Sequence, residues 1–262
     1  MKYLLYIIFS VFLNLSALWA NSTLVVGASA VPHAEILEFV KPYLKKSNIN
    51  LKIVIFQDYI LPNKALATGD IQANFFQHEA YLEAQIKQND YNFISVAKVH
   101  IEPMGIYSKT YTSLQDIKLG SQIIFSNSVA DRGRVLLLLQ AAGLIKLKQG
   151  IKITALDISD ITYNPKNLSF VHNVDPAMLP QIYNLLEGVT VINTNYALEA
   201  GMNPLKDALF LEPSNSPYVN ILVTTQELQN DPKIQALVKV LKSKETKDFI
   251  LKKYKGAIVP AS

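Results

Sequence analysis

Short apolar segments alternate with segments of helical periodicity along the first hundred residues, and this alternation limits the fold more than any other feature. Four segments have the short, apolar character of buried strands: residues 24–28, 51–56, 73–77 and 94–99. Three segments between them repeat apolar residues at helical spacing: residues 32–46, 61–68 and 78–88. A strand, helix, strand order predicts βαβ units and a mostly parallel sheet.

The pattern restarts after Pro103. Further strands are predicted at residues 105–111, 122–126, 168–174, 189–193 and 218–225, and further helices at residues 131–142, 176–186, 232–241 and 245–254. These strands are too many for one small sheet, and no linker-like segment separates them. We therefore expect two α/β lobes between which the chain crosses twice. The predicted boundaries give a first lobe of residues 21–103 and 216–262 and a second lobe of residues 104–215.

The first twenty residues form a separate unit. Lys2 precedes an apolar run that ends at Trp19, and the small residue Ala20 is followed by polar residues. This order is typical of a secretory signal peptide, so residues 1–20 are predicted to be removed near Ala20. An uncleaved membrane anchor is the alternative, because the run reaches the short end of the range for a spanning helix.

Composition excludes several classes of protein. Hydrophobic residues make up 50% of the chain and charged residues 18%, which excludes a disordered protein. The chain has no cysteine, so a disulfide scaffold and thiolate chemistry are excluded. A net charge of +4, evenly spread, gives no reason to expect a nucleic-acid partner.

Signals for an enzyme or a metal site are weak. The nucleophile-elbow, P-loop and dinucleotide-binding motifs do not occur in the sequence. His33, His78 and His100 could form a zinc or manganese site with a carboxylate, but each lies at a strand end or a helix start, where a polar cap is equally natural. We predict no enzymatic activity and no cofactor.

Aromatic residues follow the second and third predicted strands. Tyr59, Phe76, His78 and Tyr81 lie near the carboxyl ends of these strands, where open α/β sheets bind ligands. Phe75 precedes Phe76, and because neighbouring residues of a strand face opposite sides, only one of them can line a pocket. Phe76 is predicted to do so, since it shares a face with His78.

Polar residues elsewhere suggest a ligand with charged ends. Arg134 is in the first turn of the helix predicted at 131–142, where a cation opposes the helix dipole, so it is a candidate to bind an anion. A solvated or ion-paired arginine is the alternative, and Arg132 offers the same choice. Asn193, Asn195 and Asn220 lie in or after strands and could bind both donors and acceptors of an amino acid.

Eight segments taken together resemble one known family. They read VPHAEILEFVKP (31–42), DYILPNKALATGDIQANFFQHEAYL (58–82), KVHIEPMGIYSK (98–109), GRVLLLLQAAGLIKLKQG (133–150), NPKNL (164–168), VINTNYALEAG (191–201), NPLKDALFLE (203–212) and SPYVNILV (216–223). In this order they are similar to the NlpA/MetQ family of methionine-binding proteins of ABC importers. The resemblance covers essentially all of the chain after the signal segment.

The resemblance implies a type 2 periplasmic-binding fold, two α/β lobes around a ligand cleft, with an ABC permease and an ATPase as partners. It implies an aromatic wall around the methionine side chain: Tyr59, Phe76, His78 and Tyr81. It implies that Arg134 holds the ligand carboxylate. It also implies that Asn193 and Asn220 hold the backbone groups of the ligand.

Two departures from the family pattern matter. The lipobox cysteine of the family is missing from ALWANS, so a soluble periplasmic protein without a lipid anchor is predicted. Asp131 replaces the asparagine that the family carries before GR. Asp131 could pair with Arg134 and compete with the ligand carboxylate, or it could face the ligand ammonium.

The predicted function is the capture of L-methionine, or a closely related amino acid, in the periplasm for an ABC importer. A methionine-containing dipeptide or another apolar amino acid would suit the same aromatic wall. A surface or adhesion protein that no longer takes part in transport is a further alternative.

Overall fold

The computed structural model describes residues 22–261. The predicted signal peptide therefore lies outside the described residues. Thirteen strands occur in this range: β1 (Ser22–Ala28), β2 (Ile49–Ile55), β3 (Ala73–His78), β4 (Phe93–Ile101), β5 (Gly105–Tyr107), β6 (Gln122–Ser126), β7 (Lys146–Leu147), β8 (Ile161–Tyr163), β9 (Ser169–Val174), β10 (Val189–Ile192), β11 (Ala208–Leu211), β12 (Val219–Thr225) and β13 (Val259–Pro260).

Nine α-helices accompany these strands within residues 22–261. They are α1 (Glu35–Lys45), α2 (Leu61–Thr68), α3 (Glu79–Asn89), α4 (Val129–Ala141), α5 (Leu179–Leu185), α6 (Thr194–Glu199), α7 (Pro204–Asp207), α8 (Pro232–Leu241) and α9 (Lys244–Tyr254). None of the helices in this part of the chain has the length and apolar character needed to cross a membrane.

A six-stranded sheet in the order β13-β4-β12-β3-β1-β2 forms the first lobe. Strand β1 is parallel to β2 and β3, as the βαβ pattern predicts. Strand β12 lies antiparallel between β3 and β4, so the sheet is mixed. Helices cover both faces: α1, α8 and α9 pack on one side, and α2 and α3 on the other. The first lobe is therefore a three-layer α/β structure.

A five-stranded sheet in the order β11-β5-β10-β6-β9 forms the second lobe. Strand β6 is parallel to β9 and β10, while β5 is antiparallel to β10 and β11. Helix α4 buries Val135, Leu136 and Leu139 against one face, and α5 and α6 cover the other. The chain passes between the two sheets twice, between β4 and β5 and between β11 and β12.

Local hydrogen bonds explain where elements begin and end. Strand β5 stops at Tyr107, short of the predicted residue 111, because the Ser108 hydroxyl accepts from the backbone N–H groups of Thr110 and Tyr111 and turns the chain. Helix α2 ends at Gly69, whose φ of 80° is accessible at low cost only to glycine. Helix α4 begins at Val129, before the predicted residue 131, because the side chain of Ser128 caps it.

Candidate functional site

A cavity lies between the two lobes, where β3 ends and α4 begins. It is lined by aromatic, charged and amide side chains: Tyr59, Phe76, Gln77, His78, Tyr81, Glu102, Asp131, Arg134, Asn193, Thr194, Asn195 and Asn220. All eight residues that the sequence predicts for the ligand site are among them. The structure thus brings these eight together, and their role in binding a ligand stays a prediction.

The cavity is narrow in this conformation. About 390 Å³ of space lies among the lining side chains and at the mouth, but only about 30 Å³ admits the centre of a water molecule. That smaller volume holds roughly two waters. A ligand of amino-acid size therefore requires the lobes to separate or the lining side chains to move before it can enter.

Three aromatic rings form one wall of the cavity. The ring centres of Tyr59, Phe76 and Tyr81 lie 6.0–6.1 Å from one another. The Tyr81 hydroxyl donates to the backbone oxygen of Tyr59 at 2.9 Å, which fixes the two rings relative to each other. Phe75 points the other way, into the core of the first lobe. The wall offers apolar faces for an apolar or thioether side chain.

His78 and Asp131 form a hydrogen bond between the lobes. The Nδ1 atom of His78 accepts from the backbone N–H of Tyr81 at 3.1 Å, so Nε2 carries the hydrogen that it donates to Asp131 Oδ1 at 3.0 Å. The other Asp131 oxygen accepts from Asn193 Nδ2 at 3.2 Å. Burial alone would raise the pKa of Asp131, but His78 and Arg134 hold that pKa below its ordinary value.

Arg134 makes its ion pair with a residue that the sequence analysis missed. Its Nε lies 3.2 Å from both carboxylate oxygens of Glu212, and its Nη2 lies 2.5 Å from Oε2. Burial alone would lower the pKa of Arg134, but the charge and hydrogen bonds of Glu212 raise it. Of the two alternatives for Asp131, a pair with Arg134 is not observed among the described residues: Arg134 pairs with Glu212, and Asp131 pairs with His78.

The position of Arg134 depends on its neighbour Gly133. A Cβ atom at Gly133 would lie 2.0 Å from the backbone oxygen of Ile153. Only glycine permits this close approach, so it lets α4 pack against the turn at Ile153–Ala155. Arg132, on the other side of Gly133, pairs with Asp157 at 3.3 Å, at a partly exposed site. Of the two arginines, Arg134 is therefore the one that faces the cavity.

His33, His100 and Glu102 form a buried polar cluster beside the cavity, which Glu102 also lines. Glu102 Oε1 lies 3.2 Å from His33 Nε2 and 2.7 Å from His100 Nε2. His33 Nδ1 lies 2.6 Å from the Ser29 hydroxyl, and its Nε2 lies 3.0 Å from Asn220 Oδ1. Burial lowers the pKa of His33 to about 4 and that of His100 to about 3, while burial raises the pKa of Glu102. The cluster therefore fixes Asn220 beside the cavity.

The residues that the structure brings close enough to share a metal ion differ from those that the sequence suggests. His33, His100 and Glu102 are near enough to one another to share an ion, but His78 belongs to the separate pair with Asp131. The 2.7 Å distance between His100 Nε2 and Glu102 Oε1 is that of a direct hydrogen bond. Glu102 thus has a contact with each histidine, while His100 Nδ1 is buried without a partner among the described residues.

Thr194 and Asn195, the first two residues of α6, also line the cavity. The Asn195 side-chain oxygen accepts from the Tyr59 hydroxyl at 2.6 Å, a second bond between the lobes. Asn195 Nδ2 is buried and has no partner among the described residues. The Thr194 hydroxyl donates to the backbone oxygen of Pro103. An unpartnered buried donor beside the cavity is a group that a ligand acceptor could satisfy.

Comparison with known families gives a match over nearly the whole described range. The model of the family described as NlpA lipoprotein matches residues 24–262. This chain belongs to the NlpA lipoprotein family. The methionine-binding lipoprotein MetQ of Bacillus subtilis is 46% identical over 91% of this chain and 88% of its own length. The D-methionine-binding lipoprotein MetQ of Salmonella typhi is 38% identical over 89% of this chain and 86% of its own length.

Solved structures of NlpA-family relatives agree with the architecture. A nutrient-binding protein from Burkholderia cenocepacia, bound to methionine, has a TM-score of 0.86 and 40% identity, and the match covers 91% of this chain and all of that one. A lipoprotein from B. subtilis has a TM-score of 0.88 and 45% identity, and the match covers 92% of this chain and 98% of that one. The predicted family and the type 2 binding fold with two lobes are confirmed. The family is one of substrate-binding proteins.

One prediction is wrong. The chain was expected to be soluble and free of a lipid anchor, whereas its family is described as a lipoprotein family and its relatives are named lipoproteins. The prediction rested on the absence of a cysteine from the sequence. The description of the family and the names of the relatives contradict it.

Proposed function

We propose that this chain is a solute-binding protein that captures L-methionine or a closely related amino acid and delivers it to an ABC importer. The observation that carries the proposal is the meeting of Arg134, Asp131 and the aromatic wall in one interlobe cavity. The names of the relatives, and the methionine bound in the B. cenocepacia protein, support methionine as the ligand.

Each end of the ligand has a chemical partner in this proposal. Arg134 binds the carboxylate, because a guanidinium N–H is a strong, charge-assisted donor to it. Asp131 faces the ammonium, and Asn193 and Asn220 bind the remaining backbone groups. The thioether packs against Tyr59, Phe76 and Tyr81, where sulfur–aromatic contacts are favourable. His78 orients Asp131 through the hydrogen bond between them.

Ligand capture proceeds by closure of the lobes. Residues 21–103 and 216–262 form one lobe in this proposal, and residues 104–215 form the other. A ligand that contacts both lobes binds the closed form better than the open form and shifts the population to it. The closed form is then recognised by an ABC permease, which acts with an ATPase. We place the chain among binding proteins and not among enzymes, because its family is one of substrate-binding proteins.

Isothermal titration calorimetry with the full chain tests the proposal. L-methionine, D-methionine, methionine-containing dipeptides and other apolar amino acids are titrated in turn, and each is also tested for its effect on the melting temperature. We expect methionine to bind with a Kd in the micromolar range or below, and to raise the melting temperature. If only a dipeptide binds, the ligand is that dipeptide and not methionine. If none of these compounds binds, the result favours a surface protein without a transport role.

A further inference from the structure

Glu212 is held in place by the backbone as well as by Arg134. It follows the last residue of β11, and its backbone N–H donates to the oxygen of Met104 at 2.8 Å. The N–H of Met104 lies 3.2 Å from Glu212 Oε2. These two bonds tie both the main chain and the carboxylate of Glu212 to the start of β5. The carboxylate therefore has a fixed position before any ligand binds.

The hydrogen bonds of Arg134 leave one part of its guanidinium available. Nε is bound by Glu212, and Nη2 is bound by Glu212 and by the backbone oxygen of Glu102 at 2.8 Å. The guanidinium carbon lies 4.4 Å from the ring centre of Tyr218, so one face is also covered. An arginine has two further N–H donors on Nη1. Of the N–H donors of Arg134, these two have no acceptor among residues 22–261.

We propose that Glu212 is a positioning residue that directs Nη1 of Arg134 to the ligand and so makes the site selective for a free carboxylate. The inference rests on the proposed function and extends it to a residue outside the cavity lining. A guanidinium that is already oriented loses less conformational freedom when the ligand binds. The charge of Arg134 is also balanced before the ligand binds, because it pairs with Glu212. Both side chains of this pair are largely buried, with Arg134 4% exposed and Glu212 12% exposed.

Loss of the Glu212 charge would release Arg134 toward another carboxylate. Asp131 precedes Arg134 by three residues on α4, and its charge already acts on the guanidinium. A pair between Asp131 and Arg134 would occupy both groups that the proposed function assigns to the two ends of the ligand. Selectivity for the ligand carboxylate would then fall, although the cavity itself would keep its shape.

The test compares two ligands in two variants of the full chain. Calorimetry gives the Kd of methionine and of methionine methyl ester, which keeps the ammonium and lacks the free carboxylate. In the unmodified chain we expect methionine to bind about 100-fold more tightly. Glu212→Gln, which has nearly the same shape, should reduce this ratio at least about tenfold. The exposed Glu38, which pairs with Lys41 on α1, provides the control Glu38→Gln with an unchanged ratio.

The ratio separates positioning from a merely structural effect. A variant that is only less stable would weaken both ligands equally, and an unchanged ratio in Glu212→Gln would overturn the inference while leaving the proposed function intact. If the unmodified chain does not bind methionine, both are overturned. Should Glu212→Gln fail to fold, Glu212→Asp keeps the charge and shortens the side chain by one methylene, and it must also lower the ratio.

Discussion

His78 Nε2 donates to Asp131 Oδ1 at 3.0 Å, and this bond connects the end of β3 in the first lobe with the first turn of α4 in the second. Both side chains are buried, with Asp131 only 2% exposed. Because the two residues belong to different lobes, the bond requires the lobes to be close together. It therefore stabilises the closed conformation and fixes the carboxylate that faces the cavity.

Asp131→Asn should weaken methionine binding about tenfold, because an amide oxygen still accepts from His78 but lacks the charge that attracts the ligand ammonium. Calorimetry at pH 7 gives the change in Kd. Asp248→Asn is the control, since Asp248 pairs with Lys244 on the exposed surface of α9. Tighter binding by Asp131→Asn would show instead that Asp131 competes with the ligand for Arg134.

Arg134→Met should abolish most methionine binding, with a loss of about 100-fold or more, because the ligand carboxylate would be buried without a partner. The substitution also leaves Glu212 unpaired, so the protein itself should melt at a lower temperature. The double variant Arg134→Met/Glu212→Gln removes that unpaired charge. The double variant should recover part of the melting temperature and none of the affinity for methionine. If it recovers the affinity, Arg134 does not bind the ligand.

The sequence alone predicts those parts of the fold that local patterns encode. Helix α2 has the predicted bounds, and the apolar runs that become β1, β3 and β6 are found at their predicted places. The insertion of β12 between β3 and β4 joins segments more than a hundred residues apart, so it has no local signature. The pair β7 and β8, of two and three residues, is too short to stand out from its surroundings.

The same distinction applies to the site. Tyr59, Phe76, His78 and Tyr81 lie close together in the sequence, and their position at strand ends was informative. Glu212 is 78 residues from Arg134, and its carboxylate looks like any other until the fold brings the two together. The metal hypothesis grouped His33 and His100 with an unnamed carboxylate, but it did not identify Glu102, which only the fold brings within 3.2 Å of both histidines.

Tyr59→Phe should weaken methionine binding severalfold through faster dissociation. The lost hydroxyl donates to Asn195 across the cleft at 2.6 Å, and a single hydrogen bond of this kind contributes about 1 kcal/mol. The ring and its contacts with Phe76 and Tyr81 remain, so the aromatic wall is kept. Dissociation rates by surface plasmon resonance give the effect, and Tyr163→Phe, at an exposed position of β8, is the control. An unchanged dissociation rate would mean that this bond does not hold the closed form.

The buried histidines should make the protein less stable as the pH falls. The folded-state pKa of His33 is lowered to about 4 and that of His100 to about 3, from an ordinary value of 6.5. Between those values the unfolded chain binds more protons than the folded one, so the free energy of unfolding decreases as the pH drops from 6.5 toward 4. Each histidine contributes a slope of about 1.4 kcal/mol per pH unit within this window.

Urea unfolding at several pH values between about 4.5 and 7 measures that slope. His100→Gln removes one titrating group and keeps a side-chain donor for Glu102, so its slope should be smaller than that of the unmodified chain. Glu102, whose raised pKa acts in the opposite sense, is present in both proteins and largely cancels in the comparison. His172 is half-buried outside this cluster, so His172→Gln shows the effect of removing a histidine elsewhere. Equal slopes for the unmodified chain and His100→Gln would show that His100 is not held neutral in the folded state.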